Sequence, residues 1–183
     1  MRHDVTDWSS SYTSSLKFET DLVKLVDACR QIADYAAQFG ITTSIENHGQ
    51  YIILSERVLR LVETVDRPNF KITLDIGNFL CVNEDPFTAV KRCLPLASIV
   101  HFKDFYIRPS YRKPGEGWIH TIGDTYLRGS IFGEGDVEVR NIIQHIKQSG
   151  YDGDVVLEFE GFEESRLGSK RGFDNIRRIW DES

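Results

Sequence analysis

The chain has 183 residues, of which 40% are hydrophobic and 27% are charged, and its formal net charge is −6. This composition is typical of a globular chain with a sizeable core, and the length fits a single domain over residues 1–183. The negative charge argues against a broad surface for nucleic acid or anionic membranes, which requires clustered Lys and Arg.

The first predicted elements are a helix, a strand and a second helix. Apolar residues recur about every 3.6 positions over residues 20–39, where Thr20 can cap a helix and Gly40 can end it. Residues 41–46 predict a strand, and residues 55–65 predict a helix with an apolar face.

The next elements alternate in the same way. A strand is predicted over residues 70–75, and Asp85-Pro86 combines a cap with a proline in the first turn of a helix. A strand over residues 98–102 follows. Residues 105–135 are rich in Gly, Pro and aromatic residues and show neither period, so they predict one long loop.

The last elements are a helix, a strand and a helix. They are predicted over residues 137–149, 154–159 and about 168–180, with Gly150 ending the first helix. The whole order is βαβα, which implies parallel strands covered by helices. The strands are almost continuously apolar, as buried parallel strands are.

Each predicted strand delivers a polar side chain at its carboxyl end, where α/β barrels and open α/β sheets place their active sites. The runs are SIENHG, KITLDIGN, SIVHFKD and DVVLEFE, and they supply Glu46, Asp75, His101 and Glu158. Three carboxylates and one imidazole suit one divalent metal ion, with Mn²⁺ or Mg²⁺ as first choice and Co²⁺ or Zn²⁺ as alternatives.

The succession IENHG, LDIGN, VHFKD, GEGDVE and GYDGDVVLEFEG resembles the C-terminal half of the xylose-isomerase-like TIM barrels, the sugar phosphate isomerase/epimerase group. The resemblance covers about residues 20–180. It implies that Glu46, Asp75, His101 and Glu158 are metal ligands at the ends of barrel strands five to eight. It also favours Glu158 over Glu160, because the family's ligand is the first Glu of this pair.

The fold expected from this resemblance is a (β/α)₈ TIM barrel that is incomplete, with about strands 4/5 to 8 and their helices. A complete barrel takes ~250 residues, and this chain has room for four clear strands plus a remnant at residues 1–4. Open sheet edges invite pairing with another chain. We therefore expect either a fragment or truncated gene product, or a homo-oligomer that covers its own edges.

Glu46 and Glu158 are the predicted catalytic residues. A divalent ion acts as a Lewis acid, and two glutamates on either side of the carbon beside a carbonyl could remove and return its proton through an enediolate. Which glutamate is the base stays open. The predicted activity is isomerisation or epimerisation of a small sugar or sugar phosphate, without nucleic acid or membrane as partner.

Two other functions remain open at this stage. A dehydratase of a polyol-derived ketone would use the same metal and the same proton abstraction, and a truncated relative could serve as a non-catalytic subunit. An endonuclease-like function is disfavoured, because it would need more His ligands for several zinc ions and a basic groove.

Residues next to the ligands are candidates for binding the substrate. His48 and Asn47 could orient ligands or touch the sugar, although Asn-His-Gly is also ordinary turn chemistry. Lys103 could hold a substrate oxygen, with a salt bridge as the alternative. Asn78 stands where many relatives carry His, so it could bind substrate or cap a turn.

Two further motifs have both structural and functional interpretations. Residues 133–136, Gly-Glu-Gly-Asp, predict a tight turn with Asp136 as the cap of the next helix, and only weakly a phosphate loop. Ser169, Lys170 and Arg171 are predicted near the start of the last helix, where TIM barrels often bind phosphate, or on a solvated helix face.

Cysteine content and hydropathy favour a cytoplasmic protein. Cys29, Cys81 and Cys93 lack the close pairs of a zinc knuckle or redox motif, so we expect reduced structural thiols. No apolar run approaches the ~20 residues of a membrane span. The start MRHDVTDWSSS lacks the apolar core of a signal peptide.

Overall fold

The structure is a computed structural model that describes residues 15–49 and 51–183. Besides three short 3-10 helices at Asn78–Val82, Leu94–Leu96 and Ser110–Arg112, five α-helices and seven strands are assigned in this part of the chain. In order they are α1 (Ser15–Ala37), β1 (Thr43–Glu46), α2 (Ser55–Val65), β2 (Phe70–Asp75), α3 (Pro86–Cys93), β3 (Ala97–Phe102), β4 (Asp104–Pro109), β5 (Ile119–His120), β6 (Thr125–Ser130), α4 (Val139–Gln148), β7 (Asp154–Leu157) and α5 (Ser165–Glu182).

Four of the strands form a parallel sheet in the order β1-β2-β3-β7. Its central strand β2 is buried at five of its six positions, as expected for a parallel strand with helices on one face and core on the other. The parallel α/β architecture of the predicted barrel is confirmed. Across the described residues the sheet does not close into a barrel, and β1 and β7 are its edges.

The helices pack on this sheet through apolar stripes. On α4, Ile142, Ile143 and Ile146 are fully buried, and on α2 so are Val58 and Leu61. Burying one such side chain contributes about 1.5–3 kcal/mol. These side chains belong to one core cluster with Ile72 and Leu74 of β2, so the sheet that carries the site rests on a continuous core.

Several predicted boundaries agree with the structure and others shift. Helix α2 and strand β2 have their predicted ends, and Asp85 caps α3 by accepting a hydrogen bond from the Thr88 N–H at 2.8 Å. Helix α1 begins at Ser15, so Thr20 lies inside the helix and does not cap it. Strand β1 begins at Thr43 because residues 38–42 continue the turn that follows α1.

The predicted long loop over residues 105–135 contains a second sheet, which corrects the prediction. Strands β4, β6 and β5 pair antiparallel in that order. Phe105 and Leu127 lie on one face of this sheet and pack with Ile53 in a small second core. The strands were missed because their alternation is short and because β4 meets its partner only across an intervening loop.

The helix after this sheet begins at Val139, and Asp136 is not its cap. The Asp136 carboxylate instead accepts a hydrogen bond from the Ile107 N–H at 2.7 Å and lies 3.3 Å from Arg108. Asp136 therefore ties residues 133–137 to β4. No helix in the described part of the chain is long and apolar enough to cross a membrane.

Candidate metal centre

The parallel register brings the four predicted ligands to one end of the sheet. Asp75 pairs with His101 across β2 and β3, and His101 pairs with Val156 of β7. Glu158 follows β7 directly, and its N–H donates to the Phe102 carbonyl at 3.0 Å. Glu46 ends β1. All four side chains therefore leave the sheet at its carboxyl edge.

The side chains of Glu46, Asp75, His101 and Glu158 converge, with one ligand atom from each lying within 4.8 Å of the others. The His101 Nδ1 lies 3.0 Å from Glu158 Oε2 and 3.5 Å from Glu46 Oε1. Asp75 is fully buried, whereas the other three are partly exposed. The site is thus buried on the side of Asp75, and its open mouth is the side on which the other three ligands are partly exposed to solvent.

Two oxygens of this group are buried without a hydrogen-bond partner, Glu46 Oε1 and Asp75 Oδ2. Burying a carboxylate oxygen without a donor is costly, and a divalent cation would satisfy both atoms. Three carboxylates and one imidazole are also a donor set that Mg²⁺, Mn²⁺ and Zn²⁺ accept. The residues present therefore fit a divalent metal ion.

The two oxygens of Asp75 face different partners. Oδ1 accepts hydrogen bonds from the N–H groups of Gly77 at 2.8 Å and Asn78 at 3.0 Å, which leaves Oδ2 turned toward the ligand group. Burial raises the pKa of Asp75 to about 7, and the Lys103 ammonium and these two N–H groups oppose that rise. The carboxylate is thus fixed in orientation before any ion binds.

Asn47 holds the backbone of the same aspartate. Its side chain donates to the Asp75 carbonyl and accepts from the Asp75 N–H, both at 2.8 Å, and it is fully buried. An amide that pairs with both backbone groups of one residue substitutes for the sheet hydrogen bonds that the end of β1 no longer provides. Asn47 therefore orients a candidate ligand, one of the two roles the sequence left open.

Lys103 lies below the ligand group, with its side chain only 2% exposed. Its ammonium is 2.9 Å from Glu158 Oε1, 2.9 Å from Glu160 Oε2 and 3.5 Å from Asp75 Oδ2. Burial disfavours the charged form, but the surrounding carboxylates outweigh burial and raise the pKa of Lys103 above its ordinary value. The structure thus places Glu158 in the ligand group and Glu160 beside Lys103.

The other two predicted substrate contacts, His48 and Asn78, differ in exposure. His48 is exposed and pairs with Ile52 in an isolated bridge. Asn78 is 5% exposed, its Oδ1 accepts from Lys103 at 3.3 Å, and its Nδ2 is buried without a partner. An amide donor that finds no acceptor beside the ligand group is suited to a substrate oxygen.

Sequence reasoning missed the structural role of Asp104. This buried carboxylate accepts hydrogen bonds from its neighbour Phe105 and from the N–H groups of Gly133, Gly135 and Val137. Hydrogen bonds to the Asp104 carboxylate therefore hold the GEGDVE run in place. The signal available in the sequence was the glycine spacing, because Gly135 lies so close to the Asp104 carboxylate that a Cβ would collide with it.

The predicted phosphate region belongs to the interior of a helix. Helix α5 begins at Ser165, where the Glu164 carboxylate caps the Arg166 and Leu167 N–H groups. Lys170 pairs with Asp174 at 2.8 Å, and Arg171 lies 3.2 Å from Glu134. These cations are exposed and already paired with acids, as on a solvated helix face.

Comparison with known proteins gives one family match and a set of distant relatives. A family model described as xylose isomerase-like TIM barrel matches residues 4–179. The inosose dehydratase of Lacticaseibacillus casei is 23% identical over 138 residues, which are 75% of this chain and 46% of that protein. The chain thus spans about half the length of the curated relatives it matches.

Solved structures share the fold. A xylose isomerase-like TIM barrel protein from Mycobacterium smegmatis in complex with magnesium has a TM-score of 0.71 and 18% identity, over 88% of this chain and 51% of that one. The D-psicose 3-epimerase of Clostridium cellulolyticum H10 with D-tagatose has a TM-score of 0.66 and 16% identity, over 94% and 61%. The IOLI protein with a bound zinc atom has a TM-score of 0.69 and 18% identity, over 90% and 58%.

Proposed function

We propose that this chain, which belongs to the xylose isomerase-like TIM barrel family, binds one divalent metal ion and takes part in the isomerisation or epimerisation of a small sugar or sugar phosphate. The observation that carries the proposal is the convergence of Glu46, Asp75, His101 and Glu158 around two buried oxygens without partners. Mn²⁺ or Mg²⁺ is our first choice of metal. Magnesium and zinc are present in the related structures named above.

When bound, the metal would supply Lewis acidity toward a substrate carbonyl. The protein's own contribution is proton transfer. Glu46 and Glu158 both face His101, their side chains are 31% and 29% exposed, and they border the open mouth of the site. Burial opposes ionisation of Glu158, but the hydrogen bond and charge of Lys103 outweigh it and lower its pKa, so Glu158 is ionised at neutral pH.

Substrate orientation would come from Asn78 and His48. The Asn78 Nδ2 is buried without a hydrogen-bond partner, so it could donate to a substrate oxygen that enters the ligand group without breaking an existing hydrogen bond. His48 is exposed on the loop after β1 and can reach a polar ligand from the solvent side. Removal of a proton from the carbon beside the carbonyl by one glutamate would give an enediolate. Return of a proton by the other glutamate to the opposite face of that carbon would invert its configuration, and return to the former carbonyl carbon would move the carbonyl.

The metal site is tested by calorimetry with Mn²⁺. We expect Asp75→Ala and His101→Ala each to weaken binding by more than the 10- to 100-fold typical of residues that only support a ligand. Asp174→Ala, on the exposed pair with Lys170, is the matched control and should bind like the unmodified protein. Full affinity in both site variants would contradict the assignment.

The proton route is tested by solvent exchange. In heavy water the reaction should exchange the substrate's α-hydrogen, and Glu46→Gln and Glu158→Gln should each reduce the exchange by about 10²- to 10⁴-fold. The amide keeps the shape of the side chain but cannot accept a proton. Full retention of the original hydrogen in the product would instead indicate hydride transfer and reject the enediolate route.

A dehydratase is the second candidate, and the similarity to inosose dehydratase favours it. The same proton abstraction would be followed by loss of a β-hydroxyl as water. Incubation of the metal-loaded protein with a ketose and with a cyclic polyol-derived ketone separates the two functions. The isomerase changes configuration at constant mass, whereas the dehydratase product is lighter by one water.

We infer further that the chain associates with a second copy through its open sheet edges, and that it is cytoplasmic. The edge strand β7 leaves Val156 44% exposed, and Phe173 on the adjacent helix is 54% exposed. Apolar side chains beside an unpaired strand edge favour association. A non-catalytic subunit would also associate in this way, and the activity assays above separate it from the enzyme.

The three cysteines are free thiols, which agrees with a reducing compartment.

A further inference from the structure

The buried ammonium of Lys103 is surrounded by acids. Four carboxylates lie at the site, those of Glu46, Asp75, Glu158 and Glu160. Among the described residues, Lys103 is the one Lys or Arg that pairs with any of them. When all four carboxylates are ionised, they and Lys103 together carry four negative charges and one positive charge. Such a cluster is unfavourable unless a cation compensates it.

The ammonium has no hydrogen-bond donor to spare. A lysine offers three N–H groups, and here three acceptors lie within hydrogen-bond distance, Glu158 Oε1 and Glu160 Oε2 at 2.9 Å and Asn78 Oδ1 at 3.3 Å. A substrate oxygen could bind Lys103 only by displacing one of them. The contacts therefore favour a role inside the ligand group over the predicted contact with substrate.

The position of the lysine is built into the fold. Its stem lies against Gly77, where a Cβ would come within 3.1 Å of the Lys103 Cγ and 3.0 Å of the Phe105 ring. The ammonium also lies 5.9 Å from the centre of that ring. A glycine two residues after the end of β2, an aromatic ring and three acceptors hold the side chain in one place.

We propose that Lys103 is the internal counter-ion of the metal site, and that its charge offsets the repulsion between the carboxylates of Asp75 and Glu158 in the protein without metal. A metal ion then takes over part of the compensation that Lys103 provides alone. Glu160 belongs to the same charged group, because its carboxylate lies 2.9 Å from the Lys103 ammonium. The proposal rests on the proposed metal site.

The test measures thermal unfolding of Lys103→Met after treatment with chelator and again with saturating Mn²⁺. In chelator, Tm should fall, because the carboxylates lose their counter-ion. Added Mn²⁺ should raise Tm by more in Lys103→Met than in the unmodified protein. The affinity for Mn²⁺, measured by calorimetry, should be unchanged or higher, since a positive charge near the metal has been removed.

Two further variants separate charge from shape. Lys103→Met/Glu160→Gln removes one charge of each sign, and in chelator it should recover at least half of the Tm lost in Lys103→Met. Lys170→Met removes an exposed lysine paired with Asp174 and should change neither Tm nor the effect of Mn²⁺. If Lys103→Met does not fold, the Glu160→Gln variant tests the proposal by itself. It removes one negative charge from around Lys103, so its Tm should rise less with Mn²⁺ than that of the unmodified protein.

Three results would overturn the proposal. The first is an affinity for Mn²⁺ reduced 10- to 100-fold in Lys103→Met, which would indicate that the lysine only orients its neighbours. The second is an equal or smaller Mn²⁺-induced rise in Tm. The third is a double variant no more stable than Lys103→Met. Absence of any Mn²⁺ effect on the unmodified protein would instead refute the metal site, while the chelator comparison still tests the counter-ion.

Discussion

Replacement of Asn47 by alanine should damage both the fold and the metal site. The side chain is fully buried and makes two hydrogen bonds of 2.8 Å to the backbone of Asp75. Asn47→Ala leaves a buried N–H and a buried C=O without partners, at about 1–3 kcal/mol each, so the free energy of unfolding should fall by about 2–6 kcal/mol. The end of β2 should then become mobile, and the affinity for Mn²⁺ should fall about 10- to 100-fold.

Asn69→Ala is the matched control for this experiment. The Asn69 side chain also bonds two backbone carbonyls of other segments, Ala33 at 2.8 Å and Ile41 at 3.1 Å, but at the opposite end of β2. Chemical denaturation and calorimetry should show that both variants are destabilised and that only Asn47→Ala binds Mn²⁺ more weakly. Equal Mn²⁺ affinities in the two variants would refute the idea that Asn47 orients a ligand.

Three other predictions concern packing, pH and assembly. Gly129→Ala should destabilise the protein by about 1–3 kcal/mol in urea unfolding, because a Cβ there collides with the backbone of Glu160, whereas Gly172→Ala, which meets only side chains, should be milder. The hydrogen bond from Arg67 lowers the pKa of Asp34, so this pair should stabilise the fold above pH ~4, and the contribution should disappear as pH falls through the lowered pKa, as an NMR titration of Asp34 would show. Sedimentation at micromolar concentration should reveal a dimer or larger species; a monomer at every concentration would show that the edges of the sheet are protected in another way.

The elements that the sequence predicted well are those whose signal is local. The apolar residues of helix α2 recur with the period of an α-helix. Strand β2 is a short continuous apolar run that leads into Asp-Ile-Gly-Asn. Asp85-Pro86 contains a cap and a proline in adjacent positions, and the structure shows that cap. In each case a few consecutive residues determine the conformation, so the pattern can be read without knowledge of distant partners.

The convergence of the four candidate ligands could be predicted for a related reason. Parallel strands place their carboxyl ends at one edge of the sheet, so the position of a residue along its strand also determines its place at the site. What the strands do not specify is the direction of each side chain beyond the edge. The sequence could not show that Glu160, two residues after Glu158, would turn to Lys103.

The parts that escaped prediction depend on contacts between distant residues. Strands β4 and β6 form a ladder across a loop, and Asp104 gathers N–H groups from the segment around Gly135. The ladder has no period that stands out along the chain, and the glycine spacing around Gly135 does not identify Asp104 as the partner. A buried carboxylate that organises a distant turn looks, in sequence, the same as a solvated acid beside a lysine.

The residues that support the site could be identified only from the structure, whereas its candidate ligands could be predicted from the sequence. Asn47 and Gly77 each follow a ligand strand, and ordinary turn chemistry accounts for both residue types. In the structure Asn47 fixes the backbone of Asp75, and Gly77 makes room for the stem of Lys103. Both residues act on β2 and β3, the two inner strands, which carry Asp75 and His101, whereas Glu46 and Glu158 extend from the edge strands β1 and β7. Changes at Asn47 or Gly77 should therefore lower the metal affinity without altering association, because the inner strands that these residues support have no unpaired edge.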